Sequence, residues 1–238
     1  MSKIIIVIPT YKEKDNIFKL TNKILKLIPK SNIFIVDDTP QDSLKESFKD
    51  KRIKYFHRKN KKGRGSAVLF GFRKSLNSKL NTIFIEMDAD FSHDPRELKR
   101  NIKYFMNNKL DLLIASRYLK ESQIKNWGVF RSIFSKLSNF LASILLNVGV
   151  SDYTNGYRVY SRRSINLITS QCGNIGDGFI VLSEILLTIN LKKFKIGELP
   201  TVFINRKRGE SSVNLKLIIQ SLLGLFKLYV IKILKKWV

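Results

Sequence analysis

The chain has 238 residues, and 44% of them are hydrophobic, which excludes global disorder and is enough to build the core of one α/β domain. Its one cysteine, Cys172, excludes a disulfide framework and is typical of a reducing compartment. The 44 Lys and Arg residues against 19 Asp and Glu residues give a formal net charge of +25, which predicts an anionic partner: a nucleic acid, a lipid headgroup surface or a phosphorylated substrate. A lysine-rich composition with solvated side chains explains much of this charge equally well.

The first half of the chain alternates apolar runs with helical patterns. Predominantly apolar runs predict buried strands at residues 3–8, 32–36, 82–87 and 111–115. The segments between them predict helices over 15–28, which Pro29 ends, over 64–77, and from about Asp94-Pro95 onward. This alternation indicates a wound α/β sheet, whose ligands gather at the carboxyl ends of the strands.

The second half begins with an apolar helix or helix pair over 128–150. After it we expect a strand at 157–160, helices at 162–170 and 179–191, strands at 194–198 and 201–205, and a helical stretch over 213–238. Because no repeat or linker is visible, we predict one domain over 1–212 and a C-terminal appendage over 213–238. The amino terminus lacks the pattern of a secretory signal, and the longest uncharged run, 137–151, is shorter than the roughly 20 residues of a membrane span.

Polar loops follow the strands at 3–8, 32–36 and 82–87. Together they carry five carboxylates: Glu13, Asp37, Asp38, Asp88 and Asp90. Asp88 and Asp90, at i and i+2, point to the same side of an extended chain and can share one hard cation. Each loop alone is an ordinary turn or helix cap. Jointly, at one sheet edge, they predict a cation site or hydrogen bonding to the base and ribose of a nucleoside.

The basic, glycine-containing turn at 61–66 (KKGRGS) fits neither the P-loop pattern nor the dinucleotide-binding pattern. We interpret it as the start of a helix with a basic rim.

Seven short motifs, in the same order along the chain, resemble those of family 2 glycosyltransferases. Residues 8–16 (IPTYKEKDN) resemble the opening PTYNExxN segment, 36–43 (VDDTPQDS) the DDxSxDxT turn, and 87–95 (MDADFSHDP) the DADLSHxP stretch of the polyprenol-phosphate (dolichol-phosphate) mannosyltransferase branch. Residues 115–118 (ASRY), 152–158 (DYTNGYR), 196–200 (IGELP) and 206–211 (RKRGES) resemble four further segments of that branch. A lone Asp-X-Asp is a weak signal, whereas seven ordered matches are specific.

The resemblance implies a GT-A fold and an inverting transfer of a hexose from a nucleotide sugar to a polyprenyl phosphate. It also implies a bound Mg²⁺ or Mn²⁺ held by Asp88 and Asp90, with Asp90 the principal ligand. The implied nucleotide-sugar site consists of Pro9, Tyr11, Glu13, Val36, Asp38, Asp88, Ala89, Asp90, Arg117 and Arg206. The implied catalytic residues are Asp90, Arg117 and Arg131, and those at the acceptor phosphate are Arg117, Arg131 and Ser135.

The chain departs from the family pattern in two motifs. Thr39 and Gln41 stand where the DDxSxDxT turn usually has Gly or Asn and then Pro. Ser212 replaces a lysine that commonly follows the last motif, which puts the donor-phosphate contact there in doubt.

The residue types agree with this chemistry. A phosphate monoester has its second pKa near 6, so at neutral pH its oxygen can attack the anomeric carbon without losing a proton. Such a reaction needs no strong general base, but it needs cations to bring an anionic nucleophile to an anionic donor. The chain has only two histidines, His57 and His93, and no Ser/His/Asp or Cys/His set stands out.

Two helical segments point towards a membrane. Arg131, Ser135 and Asn139 recur at helical spacing and form a polar stripe, which a solvated amphipathic helix would explain as well. The stretch 213–238 is apolar and basic and ends near Trp237, a pattern typical of helices at a lipid surface. Packing on the protein's own core or on a membrane subunit are the alternatives. We expect a peripheral protein on the cytoplasmic face of a membrane.

The function predicted is transfer of mannose from GDP-mannose to a polyprenyl phosphate. A UDP-sugar donor of the glucose type is the nearest alternative. A soluble acceptor would require a carboxylate base, with Asp152 or Glu184 as candidates. A non-catalytic nucleic-acid-binding or membrane-surface protein is the alternative from another class, although no nucleic-acid-binding module is visible and a scaffold has no use for a metal site.

Overall fold

The computed structural model describes residues 3–41, 44, 47–60, 63–78, 82–205 and 215–234. Its strands are β1 (Lys3–Thr10), β2 (Ser31–Asp37), β3 (Ile53–His57), β4 (Thr82–Glu86), β5 (Leu112–Ser116), β6 (Gln123–Lys125), β7 (Arg158–Tyr160), β8 (Ile196–Pro200) and β9 (Val202–Ile204). Its helices are α1 (Lys14–Leu27), α2 (Arg64–Ser75), α3 (Leu98–Asn107), α4 (Val129–Leu146), α5 (Arg162–Gln171), α6 (Ile180–Leu191) and α7 (Leu215–Leu234).

Seven strands form one sheet in the order β3-β2-β1-β4-β7-β5-β8. All neighbours are parallel except β7, which runs antiparallel to both β4 and β5. Because β7 runs backwards, the turn that precedes it lies at the same edge as the carboxyl ends of β1, β2, β4 and β5. β6 and β9 pair in parallel as a separate two-stranded ribbon.

The wound α/β sheet predicted from the apolar runs is confirmed. Alternate residues of β1 face opposite sides, so that Ile5 and Val7 pack in one core layer and Ile6 and Ile8 in the other. The first layer is covered by α2, α5 and α6, and the second by α1 and α3. Both faces of the central strands are therefore buried, which is why their sequences lack a polar face.

Three details differ from the expectation. β3 and β6 were not predicted, because β3 is an edge strand with partly exposed residues and β6 has only three residues. The segment 128–150 is one helix, which ends where Asn147 adopts a left-handed conformation (φ 47°). The strand expected at 194–198 lies two residues later, at Ile196–Pro200.

Helix α7 packs against α4 and α6. Leu225 and Leu228 are buried in the core, and Lys232 Nζ donates a hydrogen bond to the carbonyl of Leu145 (3.1 Å). Within the described ranges, no helix combines the length and the apolar character needed to cross a bilayer.

Candidate active site

The loops after β1 and β2 are fastened to each other at the carboxyl edge of the sheet. The amide of Asp38 donates to the carbonyl of Thr10 (3.0 Å), and the amide of Lys12 donates to the hydroxyl of Thr39 (2.8 Å). Asp37, fully buried, accepts hydrogen bonds from the Thr39 hydroxyl (2.6 Å) and the Tyr55 hydroxyl (2.9 Å). The departure at Thr39 therefore supplies a side chain that closes this turn.

Asp38 is paired with an arginine that no motif indicated. Arg58, just after β3, donates from Nε and Nη2 to the two oxygens of Asp38 (2.5 and 2.6 Å). Arg58 also donates to the Ser66 hydroxyl at the start of α2 (2.9 Å), and both members of the pair are buried. Arg58 thus fixes the orientation of the Asp38 carboxylate, which is expected to contact the nucleoside.

The remaining residues of the expected nucleoside pocket lie at the ends of β1, β2 and β4. Pro9 and Val36 are buried partners in the β1–β2 register. Ala89 is buried, and Tyr11 and Glu13 are half-buried in the first loop. The Glu13 carboxylate accepts a hydrogen bond from the side-chain Nδ2 of Asn16 (2.7 Å), so it also holds the start of α1.

Asp88 lies just past β4 with its side chain 25% exposed, and it is paired with Arg64 at the start of α2. Arg64 Nε donates to Asp88 Oδ1 (2.7 Å), and Nη1 donates to Glu86 Oε1 (2.6 Å). Burial disfavours the charged form of Asp88, but the positive groups around it, Arg64 first among them, together outweigh burial and lower the pKa of this carboxyl. Glu86, at the end of β4, is fully buried and also accepts from the Tyr160 hydroxyl (2.7 Å).

The loop after Asp88 is shaped by His93. Its Nδ1 accepts from the Asp88 amide (3.0 Å), which assigns the proton of the neutral ring to Nε2, and Nε2 lies 2.9 Å from Asn155 Oδ1. The ring also stacks on Tyr157, with centroids 5.0 Å apart. Both ring nitrogens are therefore engaged in positioning the loop, and His93 links it to the turn before β7.

Asp90 is half-buried, and its Oδ1 accepts a hydrogen bond from the Ser92 amide (3.0 Å). Asp88 and Asp90 offer the hard oxygen donors that Mg²⁺ or Mn²⁺ prefers, and Mg²⁺ commonly takes one or two carboxylates and completes its shell with substrate phosphates. In the part of the chain that the structure describes, no group of three or more His, Cys, Asp or Glu side chains could hold an ion without such help. The donor set fits an ion shared with a diphosphate.

Arg117 follows β5 and is clamped by Asp152. Its Nε and Nη2 donate to the two oxygens of Asp152 (both 2.8 Å), its amide donates to Oδ2 (2.9 Å), and Nη2 also reaches the Thr154 hydroxyl (2.7 Å). Burial works against the charged form of Asp152, but Arg117 outweighs it and lowers the pKa of this carboxyl. Asp152 is thus held as an anion rather than poised to accept a proton.

The other carboxylate weighed as a base, Glu184, is in the buried middle of α6. Its oxygens accept from the amides of Gly173 (2.9 Å) and Asn174 (3.3 Å), and burial raises its pKa. Glu184 therefore holds a loop together.

The polar stripe of α4 faces the protein rather than solvent where the structure describes it. Ser135 Oγ is 2.7 Å from the Tyr118 hydroxyl, next to Arg117 in the chain. Asn139 is buried and accepts from the amide of Tyr153 (2.7 Å). Arg131 belongs to α4, but its side chain lies outside the described part, as does Arg206 with the whole 206–211 motif.

Arg58, Arg64 and Glu86 are the site residues that sequence reasoning missed. Each contributes through a partner that is distant in the chain, so that no local pattern marks it. The basic turn at 61–66 was the only signal, and it indicated a rim rather than a residue that contacts Asp88.

Known proteins resemble this chain in sequence and in fold. The model of glycosyl transferase family 2 matches residues 5–168. Polyprenol monophosphomannose synthase of Mycolicibacterium smegmatis is 32% identical over 217 residues, covering 88% of this chain and 80% of its own. Undecaprenyl-phosphate mannosyltransferase of Micrococcus luteus is 30% identical, covering 89% and 88%, and dolichol-phosphate mannosyltransferase of Pyrococcus furiosus is 31% identical, covering 95% and 63%.

Among solved structures, glucosyl-3-phosphoglycerate synthase of Mycobacterium tuberculosis with Mn²⁺, UDP-glucose and phosphoglyceric acid superposes with a TM-score of 0.65. The match covers 96% of this chain and 80% of the other at 17% identity, and it confirms the GT-A fold. The chain belongs to glycosyl transferase family 2, in which it is similar to the polyprenyl-phosphate mannosyltransferases.

Proposed function

We propose that the protein transfers mannose from GDP-mannose to a polyprenyl phosphate, with inversion, at a membrane surface. The observation that carries this proposal is the placement of Asp88 and Asp90 at a sheet edge that also holds three buried or nearly buried arginines, Arg58, Arg64 and Arg117. An anionic donor and an anionic acceptor could be brought together there, because a bound divalent ion and these oriented guanidinium groups would offset part of their charge.

The donor side consists of the ends of β1, β2 and β4. Pro9, Tyr11, Glu13, Val36 and Asp38 are proposed to hold the nucleoside, and Ala89 to continue the wall of the pocket. Asp88 and Asp90 would hold Mg²⁺ or Mn²⁺, which neutralises charge on the leaving diphosphate when it is bound. Arg117 and Arg206 would contact the diphosphate.

The acceptor side is proposed to consist of Arg117, Arg131 and Ser135. Arg117 is oriented by Asp152, and Ser135 by the Tyr118 hydroxyl. An ionised acceptor phosphate needs no proton removed, which agrees with the engagement of the Asp152 and Glu184 carboxylates in structural hydrogen bonds. Positioning two anions is then the main task of these residues.

Two apolar stripes support a membrane-bound acceptor. The first, on α4, consists of Val129, Ile133, Leu137, Phe140 and Ile144, and the second, on α7, of Leu222, Leu223, Phe226, Val230, Ile233 and Leu234, all of them exposed. Each set recurs at helical spacing along one side of its helix. We propose that both stripes contact lipid on the cytoplasmic face, and that exposed lysines such as Lys136 and Lys227 meet anionic headgroups.

A thermal-shift panel of GDP, UDP, GDP-mannose and UDP-glucose, each with and without Mn²⁺, tests the donor. A ligand that binds only the folded state raises the melting temperature with its occupancy. We expect GDP and GDP-mannose to give the largest shifts and to need Mn²⁺ for them. Larger shifts with the UDP compounds would mean that the donor is a UDP-sugar. No shift with any nucleotide would refute the proposed function.

A further inference from the structure

Arg64 occupies the inner side of the proposed metal site. Its guanidinium reaches three acceptors on different elements: Asp88 Oδ1 through Nε (2.7 Å), Glu86 Oε1 through Nη1 (2.6 Å) and the carbonyl of Gly156 through Nη2 (3.3 Å). The side chain is only 13% exposed. A cation of the protein itself thus contacts the carboxylate that is proposed to hold a divalent ion.

The backbone provides a place for this guanidinium. A Cβ atom at Gly156 would lie 1.8 Å from Arg64 Nη2, so that with any other residue there the end of the arginine side chain would have to move away. On either side of Arg64, a Cβ at Gly63 would lie 2.5 Å from the carbonyl oxygen of Asp177, and one at Gly65 would lie 2.5 Å from Val181 Cβ. These close approaches fix the start of α2, and with it the direction from which Arg64 reaches Asp88.

Arg64 also remains charged. A guanidinium keeps its proton in a protein at physiological pH, and this one donates to the carboxylates of both Asp88 and Glu86. Glu86 and Asp152 balance the charges of Arg64 and Arg117, but Asp88 Oδ1 is already taken by Arg64 Nε. A divalent ion that binds this carboxylate alone must therefore compete with the guanidinium, and this competition reduces the free energy of ion binding.

A diphosphate reverses this balance. Its negative charge attracts both the ion and the guanidinium, so that the three can share the site without net repulsion. We infer that Arg64 makes divalent-cation binding conditional on a nucleoside diphosphate: the ion binds weakly alone and much more tightly with the nucleotide. The inference rests on the metal site of the proposed function and assigns a positioning role to a residue outside the seven motifs.

Binding of Mn²⁺, measured by the electron paramagnetic resonance signal of the free ion, tests this directly. In the wild type we expect GDP, or UDP if the panel favours it, to tighten Mn²⁺ binding by roughly 5- to 150-fold, the usual range of coupling between two ligands. In Arg64→Leu, Mn²⁺ alone should bind about tenfold or more tighter than in the wild type, and the tightening by nucleotide should shrink. Arg64→Lys keeps the charge and should keep most of the coupling.

Two further variants separate the outcomes. Arg64→Leu leaves buried Glu86 without its cation and so endangers folding, whereas Arg64→Leu with Glu86→Gln removes both charges and should show the same loss of coupling. Arg73→Leu removes an equal charge from the exposed side of α2, where Arg73 donates to the carbonyl of Thr169 (3.1 Å), and should behave as the wild type.

If Mn²⁺ does not bind wild type even with nucleotide, the proposed metal site fails. Unchanged coupling in the folded Arg64 variants, with normal binding in the wild type, overturns the inference about Arg64 alone.

Discussion

The carboxyl edge of the sheet and the stripes of α4 and α7 distribute polarity in opposite ways. At the edge, Asp38, Arg58, Arg117 and Asp152 are no more than 8% exposed. On the helices, large apolar side chains are exposed, and Phe226 for example is 60% exposed. Soluble domains ordinarily bury apolar residues and expose charged ones.

Neither arrangement serves stability. A buried ion pair often stabilises a fold less than well-packed apolar residues would, and exposed apolar patches mark surfaces that contact something else. Both arrangements support the proposed function, in which phosphate groups bind at the edge and lipid contacts the stripes. The two regions meet where Tyr118, next to Arg117, contacts Ser135 of α4.

The charged edge is tested most severely by Asp90→Ala. If Asp90 is the principal ligand of the ion, its loss removes several kcal/mol of transition-state stabilisation, about a thousandfold in kcat/KM or more. The melting temperature should stay close to that of the wild type, because Asp90 is half-buried and one of its oxygens caps the Ser92 amide. Asp94→Ala, in the same loop, removes a carboxylate that pairs with Arg96 and is the matched control. Full metal-dependent activity in Asp90→Ala would show that the ion is held elsewhere.

The features of both regions that depend on local sequence pattern could be predicted from the sequence. The apolar runs located β1, β2, β4 and β5 because strands buried on both faces have no polar face. The aspartates just past these strands could then be placed at one edge of the sheet, since the carboxyl ends of parallel strands share an edge. In the same way, the helical spacing on α4 indicated its polar stripe.

Long-range pairing could not be predicted in this way. Arg64 reaches Asp88 across 24 positions of the chain and Gly156 across 92, and its role depends on a space that a glycine leaves open. Asp152 was weighed as a base because its partner Arg117, 35 positions away, could not be seen from spacing alone. A side chain's protonation and orientation depend on such partners, whereas its element depends mainly on its neighbours in sequence.

The variant Asp152→Asn measures how much stability is lost when the buried Arg117–Asp152 pair is broken. This variant leaves the guanidinium of Arg117 buried beside a neutral amide, and we expect the free energy of unfolding at pH 7 to fall by about 3–5 kcal/mol. Asp50→Asn breaks the exposed pair with Arg52 and should leave stability unchanged. Urea unfolding measures both, and equal effects would mean that burial of the Arg117–Asp152 pair is unimportant.

The same pair predicts a pH dependence. The pKa of Asp152 is lower in the folded state than in the unfolded chain, where it is about 3.9. Its contribution to stability is therefore complete above that value and is lost as the pH falls through the lower folded-state pKa. Asp152→Asn should lack this part of the acid-induced loss of stability, and an unaltered acid limb in the variant would contradict the assignment.

The apolar stripes should give the smallest of these effects, because each exposed side chain contributes only part of its surface to a lipid contact. Replacing Leu137 and Phe226 with serine removes one side chain from each stripe, and we expect binding to anionic vesicles to weaken about tenfold. Met106 and Tyr104 of α3 are also exposed and lie outside both stripes, so their replacement with serine should leave binding unchanged.

Co-sedimentation with anionic and with neutral vesicles separates the contribution of the apolar side chains from that of the lysines. Only the contribution of the lysines decreases when salt is added or when the anionic lipid is replaced by neutral lipid. Equal binding by both double variants would mean that the stripes do not face lipid, and the opposite polarity of the two regions would then need a protein partner to explain it.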